Sequence, residues 1–242
     1  MSQKLQIARH DRRHLTSGLN CPSVIAGDSD GRIVQLGKKQ KTLYFRVWKR
    51  SIDLSASSVG LLLLSPLLVT TGILVKCTSR GPMLYWQDRV GRGGRHFRIA
   101  KFRSMEVDAD KKGPDITSSG DSRVTPFGAL LRKLKIDEFP QLWNVLKGEM
   151  SLVGPRPELP RYVANYSREQ RRVLCVRPGI TDLASIRYRH EEEILAQSED
   201  AESFYRNVVL PHKLELNLEY IDNMSFLFDT KLIIQTLKSL FA

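Results

Sequence analysis

Adjacent carboxylates at Asp137 and Glu138 stand among the cations Arg132, Lys133, Lys135 and Lys147. An aspartate flanked by positive charge keeps a low pKa and stays ionised. That suits a nucleophile or a metal ligand and suits a general acid poorly. Neighbouring residues on a helix point about 100° apart, so the two acids cannot serve one atom in the same way. One can attack while the other holds a hard cation such as Mg2+ through oxygen. Arginines nearby would neutralise phosphate oxygens as charge develops on them. The competing reading is ordinary ion pairing on a helix surface, which accounts for most Asp-Glu pairs of this kind.

Upstream, Lys101-Phe102-Arg103 alternates basic and apolar residues. Lys101 and Arg103 would share one strand face, suited to an anion or simply to solvent. Other chemistries lack their residues. The five histidines show no metal-ligand spacing. The three cysteines are far apart and form no CxxC, which argues for a reducing compartment without a disulfide framework or zinc site. No GxxxxGK[ST] loop occurs, and Gly91-Arg-Gly-Gly94 reads as a hairpin turn. A net charge of +12 calls for an anionic partner. With an apolar segment also present, membrane plus phosphates outranks nucleic acid.

The elements that must position these groups follow from local pattern. Met83–Val90 and His96–Met105 read as two strands around the glycine turn. Residues 106–122 read as a loop. Phe127–Lys135 reads as a basic amphipathic helix leading into the acid pair. A short helix follows, with Pro140 near its first turn and Gly148 as its stop. Pro155-Arg156-Pro157 is a rigid turn. Glu158–Val176 reads as helical, Arg177-Pro178-Gly179 as a turn, and 186–200 as a charged loop. Ala201–Val209, Lys213–Ile221 and Thr230–Phe241 read as helices, the last suited either to a membrane interface or to core packing.

Leu54–Val75 holds 22 residues without a charge. As one helix it would span roughly 33 Å, about the hydrocarbon thickness of a bilayer. Ser65-Pro66 interrupts its middle, and Lys49, Arg50, Lys76 and Arg80 flank both ends. An interior proline kinks or breaks a helix, and basic flanks favour the cytoplasmic side. A re-entrant hairpin is therefore the first reading, ahead of a spanning helix and a buried core helix. Residues 1–42 read as a polar, weakly ordered extension. No apolar h-region follows Met1, so the catalytic mass is expected in the cytoplasm.

Lys101-Phe-Arg-Ser-Met105, the run from Arg132 through Asp137-Glu138 to Pro157, and Arg177-Pro-Gly-Ile-Thr181 closely resemble the bacterial sugar transferase family. These are monotopic polyprenyl-phosphate phosphoglycosyl transferases, and the resemblance covers about residues 46–242. It implies a helix-rich α+β fold. A re-entrant helix-break-helix over 43–78, broken at Ser65 and Pro66, would join a cytoplasmic catalytic domain over 79–242. That domain would carry a short β-hairpin and interfacial amphipathic helices. The implied reaction moves a sugar phosphate from a UDP-sugar to polyprenyl (undecaprenyl) phosphate at the cytoplasmic face of the bacterial inner membrane, releasing UMP. It would be the first membrane step of exopolysaccharide or related glycan biosynthesis.

By the same resemblance Asp137 is the nucleophile of a ping-pong reaction and Glu138 the Mg2+ ligand. Arg132 and Arg156 match positions that bind phosphate or nucleotide. Lys101 joins them, and Arg177 matches a further motif arginine. The implied partners are the UDP-sugar, polyprenyl phosphate and inner-leaflet lipid, without nucleic acid. A homodimer or association with other glycan-assembly enzymes is compatible with this. The chain departs from the family pattern at Lys135, at Phe139 and from Asp182 onward, a region suited to shape the sugar pocket. A surface protein that only holds anionic lipid, and a nucleic-acid-binding protein, are the rival classes.

Overall fold

Helix α1 (Lys49–Thr78) runs for 30 residues and is the one helix, among the described residues, long and apolar enough to cross a membrane. The structure is a computed structural model and describes residues 48–241 apart from Asp115, with only the backbone of Leu240 and Phe241. The extension 1–42 and residues 43–47 of the expected hairpin lie outside the described residues.

The sequence places a break at Ser65-Pro66, but the backbone stays helical from Lys49 to Thr78 with Pro66 inside. The cause is local. Pro66 has no N–H to give to the carbonyl four residues back, and Ser65 Oγ donates to that carbonyl, Leu62 O, at 2.7 Å. Any change of direction there is a kink within one helix rather than a gap between two.

Both ends of α1 rest on the same body. At the start, the Lys49 ammonium pairs with Asp229, and Arg50 donates to Val145 O and Leu146 O at 2.7 and 2.9 Å. Asp53 accepts from Ser151 Oγ and Leu152 N at 3.1 and 3.0 Å. At the far end Val75 packs with Phe102 and Leu131. In between, Val59, Leu62, Leu63, Val69 and Ile73 are exposed. Lys49, Asp53, Ser57, Thr71, Gly72 and Val75 form the buried stripe.

Strands β1 (Leu84–Val90) and β2 (His96–Phe102) form an antiparallel hairpin across the expected glycine turn. Its register pairs Tyr85 with Lys101 and Arg89 with Phe97. Helix α2 (Pro126–Lys133) follows the loop, capped by Thr125, which accepts from Gly128 N. A Cβ at Gly128 would lie 1.9 Å from Ser104 O, so only glycine lets α2 meet that backbone.

A 3-10 turn (Ile136–Glu138) leads to α3 (Gln141–Lys147), which stops at Gly148 as expected. Asn144 clips α3 to β2. Its Oδ1 accepts from Ala100 N at 3.0 Å and its Nδ2 donates to Arg98 O at 2.8 Å.

Strands β3 (Ser151–Val153) and β4 (Gly179–Thr181) pair in parallel, a contact absent from the sequence expectations. A Cβ at Gly179 would sit 2.1 Å from Gly154 N, so the two backbones touch beside the Pro155-Arg156-Pro157 turn.

The expected helix over 158–176 is reduced to α4 (Pro160–Val163) and a 3-10 turn (Gln170–Cys175). The expected loop 186–200 instead overlaps α5 (Leu183–Arg187), capped by Asp182, and contains α6 (Glu191–Ala196). The two helices expected between 201 and 221 are continuous: α7 (Ala201–Phe204), a π-turn (Tyr205–Val209) and α8 (Leu210–Asn223). The final helix, α9 (Phe226–Phe241), starts earlier than expected.

The main core packs Val90, Tyr162, Val163, Leu195, Tyr205, Val209 and Leu214; a second cluster joins Val153, Tyr220 and Leu232. Cys175 is disulfide-bonded, contrary to the all-thiol expectation, and Cys77 is a free, exposed thiol. The result is a helix-rich α+β fold with a small hairpin, as the sequence indicates.

Candidate active site

The acid pair sits on the 3-10 turn between α2 and α3, entered through Lys135 at a left-handed φ of 56°. A non-glycine residue in that region stores strain of order 1 kcal/mol or more, held by the packing around it. Two anchors define the turn: α2 is set against Ser104 by Gly128, and α3 against β2 by Asn144. On β2, Lys101 follows the clipped residue Ala100, so the same anchor brings its ammonium to the turn.

Glu138 is caged. Its Oε1 accepts from Lys101 Nζ at 3.1 Å and from Arg156 Nη2 at 2.6 Å, and Arg156 Nη1 lies 3.4 Å from Oε2. Burial opposes its charge, yet Arg156 and then Lys101 hold the carboxyl well below the usual range. In return Glu138 raises the pKa of the Arg156 guanidinium. Burial pushes the Lys101 ammonium down, and Glu138 offsets part of this.

Asp137 differs. It is 7% exposed, and its Oδ1 is buried without a hydrogen-bond partner among the described residues. Burial, then the charge of Glu138, pushes its carboxyl up to about 6 against the pull of Lys101, Lys135 and Arg132. This corrects the expectation of a low pKa. The surrounding cations are present, but desolvation and the neighbouring carboxylate outweigh them.

Both acids line a chamber of roughly 1580 Å3. Lys101, Arg132 and Arg156 line it too, so four of the expected site positions meet with Asp137. Gly60 and Leu64 of α1, with Phe139, Leu142, Ile233 and Leu237, add an apolar wall. Arg177 is placed elsewhere. Its Nε donates to Gly148 O at 3.0 Å, and it lines a small cleft with Lys49, Asp53 and Tyr220. Arg103 parts from Lys101, because β2 ends at Phe102 and its guanidinium donates to Ser79 O, Ser79 Oγ and Pro82 O.

Sequence reading missed Arg89. It is half-buried, donates to Pro157 O at 3.0 Å, approaches Glu158 at 3.7 Å, and so braces the turn that carries Arg156. Period-two alternation in β1 could have found it, since Tyr85, Gln87 and Arg89 share the face that pairs with Lys101. Also missed were Tyr205, which donates to Glu158 at 2.8 Å, and Lys213, paired with Glu191 at 2.8 Å; both line the chamber. Segment 185–193 contributes much of the same wall, including Ser185, Tyr188 and His190.

The donor set suits a hard cation. Asp137 Oδ1 has no partner, and Glu138 Oε2 is held loosely at 3.4 Å. Among the described residues no group of three or more acids, histidines or cysteines assembles. Mg2+ needs no such group, because it commonly uses one or two carboxylates plus substrate phosphates and water.

A carboxylate caged by arginine and lysine stands beside an unpartnered one in a chamber walled partly by a long apolar helix. A family model described as bacterial sugar transferase matches residues 44–242, and the chain belongs to that family.

An Aeromonas hydrophila protein named UDP-N-acetylgalactosamine-undecaprenyl-phosphate N-acetylgalactosaminephosphotransferase is 37% identical over 209 residues, 85% of this chain and 46% of the relative. A Komagataeibacter xylinus undecaprenyl-phosphate glucose phosphotransferase is 42% identical over 205 residues, 78% of this chain and 35% of the relative. A Caulobacter vibrioides UDP-glucose:undecaprenyl-phosphate glucose-1-phosphate transferase is 36% identical over 205 residues, 79% of this chain and 69% of the relative. The chain thus spans less than half the length of the first two.

Proposed function

We propose that the protein transfers a sugar 1-phosphate from a UDP-sugar to undecaprenyl phosphate at the cytoplasmic face of the bacterial inner membrane. The observation that carries this reading is the contrast within the acid pair. Glu138 is held ionised by Lys101 and Arg156, while Asp137 keeps a buried oxygen without a partner. A desolvated, unpartnered carboxylate is poised to attack rather than to bind a cation of the protein.

In this mechanism an Asp137 carboxylate oxygen attacks the sugar-bearing phosphorus. The bond to the bridging oxygen breaks, and UMP leaves with that electron pair. The product is a phosphosugar–aspartyl intermediate. An oxygen of the lipid phosphate then attacks the same phosphorus, the bond to Asp137 breaks, and the carboxylate is restored. Arg132 and Arg156 bind and orient phosphate oxygens, and Lys101 keeps Glu138 charged and in place.

Glu138 would hold Mg2+, which when bound supplies charge neutralisation to the diphosphate. The apolar wall from α1 and α9 suits the lipid tail. The docking of both ends of α1 on one body supports a monotopic, re-entrant arrangement. The relatives' names favour UDP-N-acetylgalactosamine or UDP-glucose as first donors to test. The wall from Ser185 to Glu193 is where the sugar would be selected.

The test is a panel of UDP-sugars assayed for UMP release with undecaprenyl phosphate. Release with one sugar, lost in Asp137→Asn, is expected. Full turnover by Asp137→Asn would remove the nucleophile. No release with any sugar, together with intact lipid binding, would favour a protein that only holds anionic lipid.

A further inference from the structure

Arg132 is gripped from one side only. Its Nη2 donates to Glu192 Oε1 at 2.8 Å, across 60 positions of sequence. Its Nη1 is buried and has no hydrogen-bond partner among the described residues. The guanidinium is a rigid planar fork, so fixing one nitrogen fixes where the other points. Arg132 and Glu192 both line the chamber that holds Asp137.

Glu192 is itself held in place. Its backbone carbonyl accepts from Ser119 N at 3.0 Å, which joins α6 to the loop before α2. Its side chain is 48% exposed and that of Arg132 is 22% exposed. An ion pair as open as this contributes little to stability. Holding the fold together is therefore a poor account of why an acid is brought to this arginine. Orientation is a better one, because the engaged nitrogen leaves its twin, which has no partner among the described residues, for a second acceptor.

We propose that Glu192 is a positioning residue: it holds Arg132 by Nη2 so that the buried Nη1 is presented to an anionic phosphate oxygen of the substrate. This rests on the sugar-phosphate transfer reading. The chemistry that Nη1 recognises is shared by the diphosphate of the nucleotide sugar and the phosphate of the acceptor lipid. Arg132 is the group that touches substrate; Glu192 acts through it. The region from Asp182 onward, where the sequence departs from the family pattern, thereby reaches the reacting phosphates as well as the pocket wall.

The test compares Glu192→Ala and Glu192→Gln with the wild type, in detergent, with KM measured separately for UDP-sugar and for undecaprenyl phosphate. Glutamine keeps an acceptor for Nη2 and removes the charge; alanine removes both. In Glu192→Ala one KM is expected to rise roughly tenfold, the effect of losing one charge-assisted hydrogen bond, with kcat within about twofold. Glu192→Gln is expected to restore it to within about threefold of the wild type. The KM that moves identifies the phosphate that Nη1 holds.

A fall in KM in both variants would make Glu192 a competitor of the substrate and overturn the proposal. Unchanged KM in both, or a change confined to kcat, would overturn it too. Thermal melting of each variant checks the fold and is expected to match the wild type. Titration of the three proteins with inorganic diphosphate keeps the question separate from the reaction. Weaker binding in Glu192→Ala with recovery in Glu192→Gln supports the positioning role even if no UDP-sugar turns over. Equal binding in all three overturns it.

Discussion

Arg156 and Glu138 meet fork to carboxylate, with Nη2 donating to Oε1 at 2.6 Å and Nη1 3.4 Å from Oε2. The pair is half-buried, and the contact connects the Pro155-Arg156-Pro157 turn with the 3-10 turn bearing Asp137. Arg156→Ala leaves a half-buried carboxylate with Lys101 as its remaining cation. We expect kcat/KM to fall about 10- to 100-fold, the value of a hydrogen bond to a charged group. Arg156→Lys restores the charge without the fork and should recover part of this. Wild-type kcat/KM in Arg156→Ala would end the role assigned to the pair.

In the proposed mechanism, protonation of Asp137 sets the acid limb of activity. Its carboxyl titrates at about 6, while Glu138 is held well below the usual range. A nucleophile works only when ionised, so kcat/KM should fall about tenfold per pH unit below the Asp137 pKa. A profile flat down to pH 4.5 or so would contradict the buried, raised carboxyl.

Asp137→Asn should abolish transfer and also stabilise the protein. Burial and the charge of Glu138 push the folded carboxyl up to about 6 from the ordinary 3.8, so ionising it in the fold is unfavourable. That penalty is fully present above about pH 6 and vanishes below about pH 4, where both states are protonated. The variant should gain on the order of 2–3 kcal/mol at pH 7.5 and clearly less at pH 4.5. Denaturation at the two pH values measures the difference; an equal gain at both would disprove the link to ionisation.

Chelation tests the cation. With EDTA in excess, UMP release should stop and return on adding Mg2+. Turnover that persists in EDTA would leave Glu138 as a partner of Arg156 and Lys101 alone.

The start of α1 is held by an internal network. The Lys49 ammonium pairs with Asp229, whose Oδ1 accepts from Tyr220 at 2.7 Å. Lys49→Met leaves the Asp229 charge buried and should cost about 3–5 kcal/mol in unfolding. Lys49→Met combined with Asp229→Leu should recover most of it, because a well-packed apolar pair commonly replaces a buried ion pair without loss. If the double variant melts no higher than the single one, the network does more than neutralise charge.

Motif contiguity decided what the sequence could reveal. Asp137, Glu138, Arg132 and Arg156 lie within 25 residues; residue type marked the acid pair and the cations beside it, and the resemblance to the family, carried by this one contiguous run, marked Arg132 and Arg156. Lys101 was found through strand alternation, which also paired it with Arg103; both line the chamber, but the Arg103 guanidinium is taken up by Ser79 and Pro82. Arg89 and Glu192 act from far along the chain, where no local pattern marks them. Strands β3 and β4 hold three residues each, too few for any period to show. Helix α6 was hidden by its charge, as the run Glu191-Glu-Glu193 reads like a solvated loop. The acidity of Asp137 was misjudged because a sequence lists neighbours and does not give burial.

The double docking of α1 has a consequence for the lipid. A helix that crosses a bilayer must match its thickness, at a cost of fractions of a kcal/mol for each Å of mismatch. In the proposed monotopic arrangement, a helix whose two ends return to one body has no opposite headgroup layer to match. How deep Asp137 rides is then fixed by the protein, much as a hull sets its own draught. Turnover should carry over between vesicles of short- and long-chain lipids, provided the headgroups are the same.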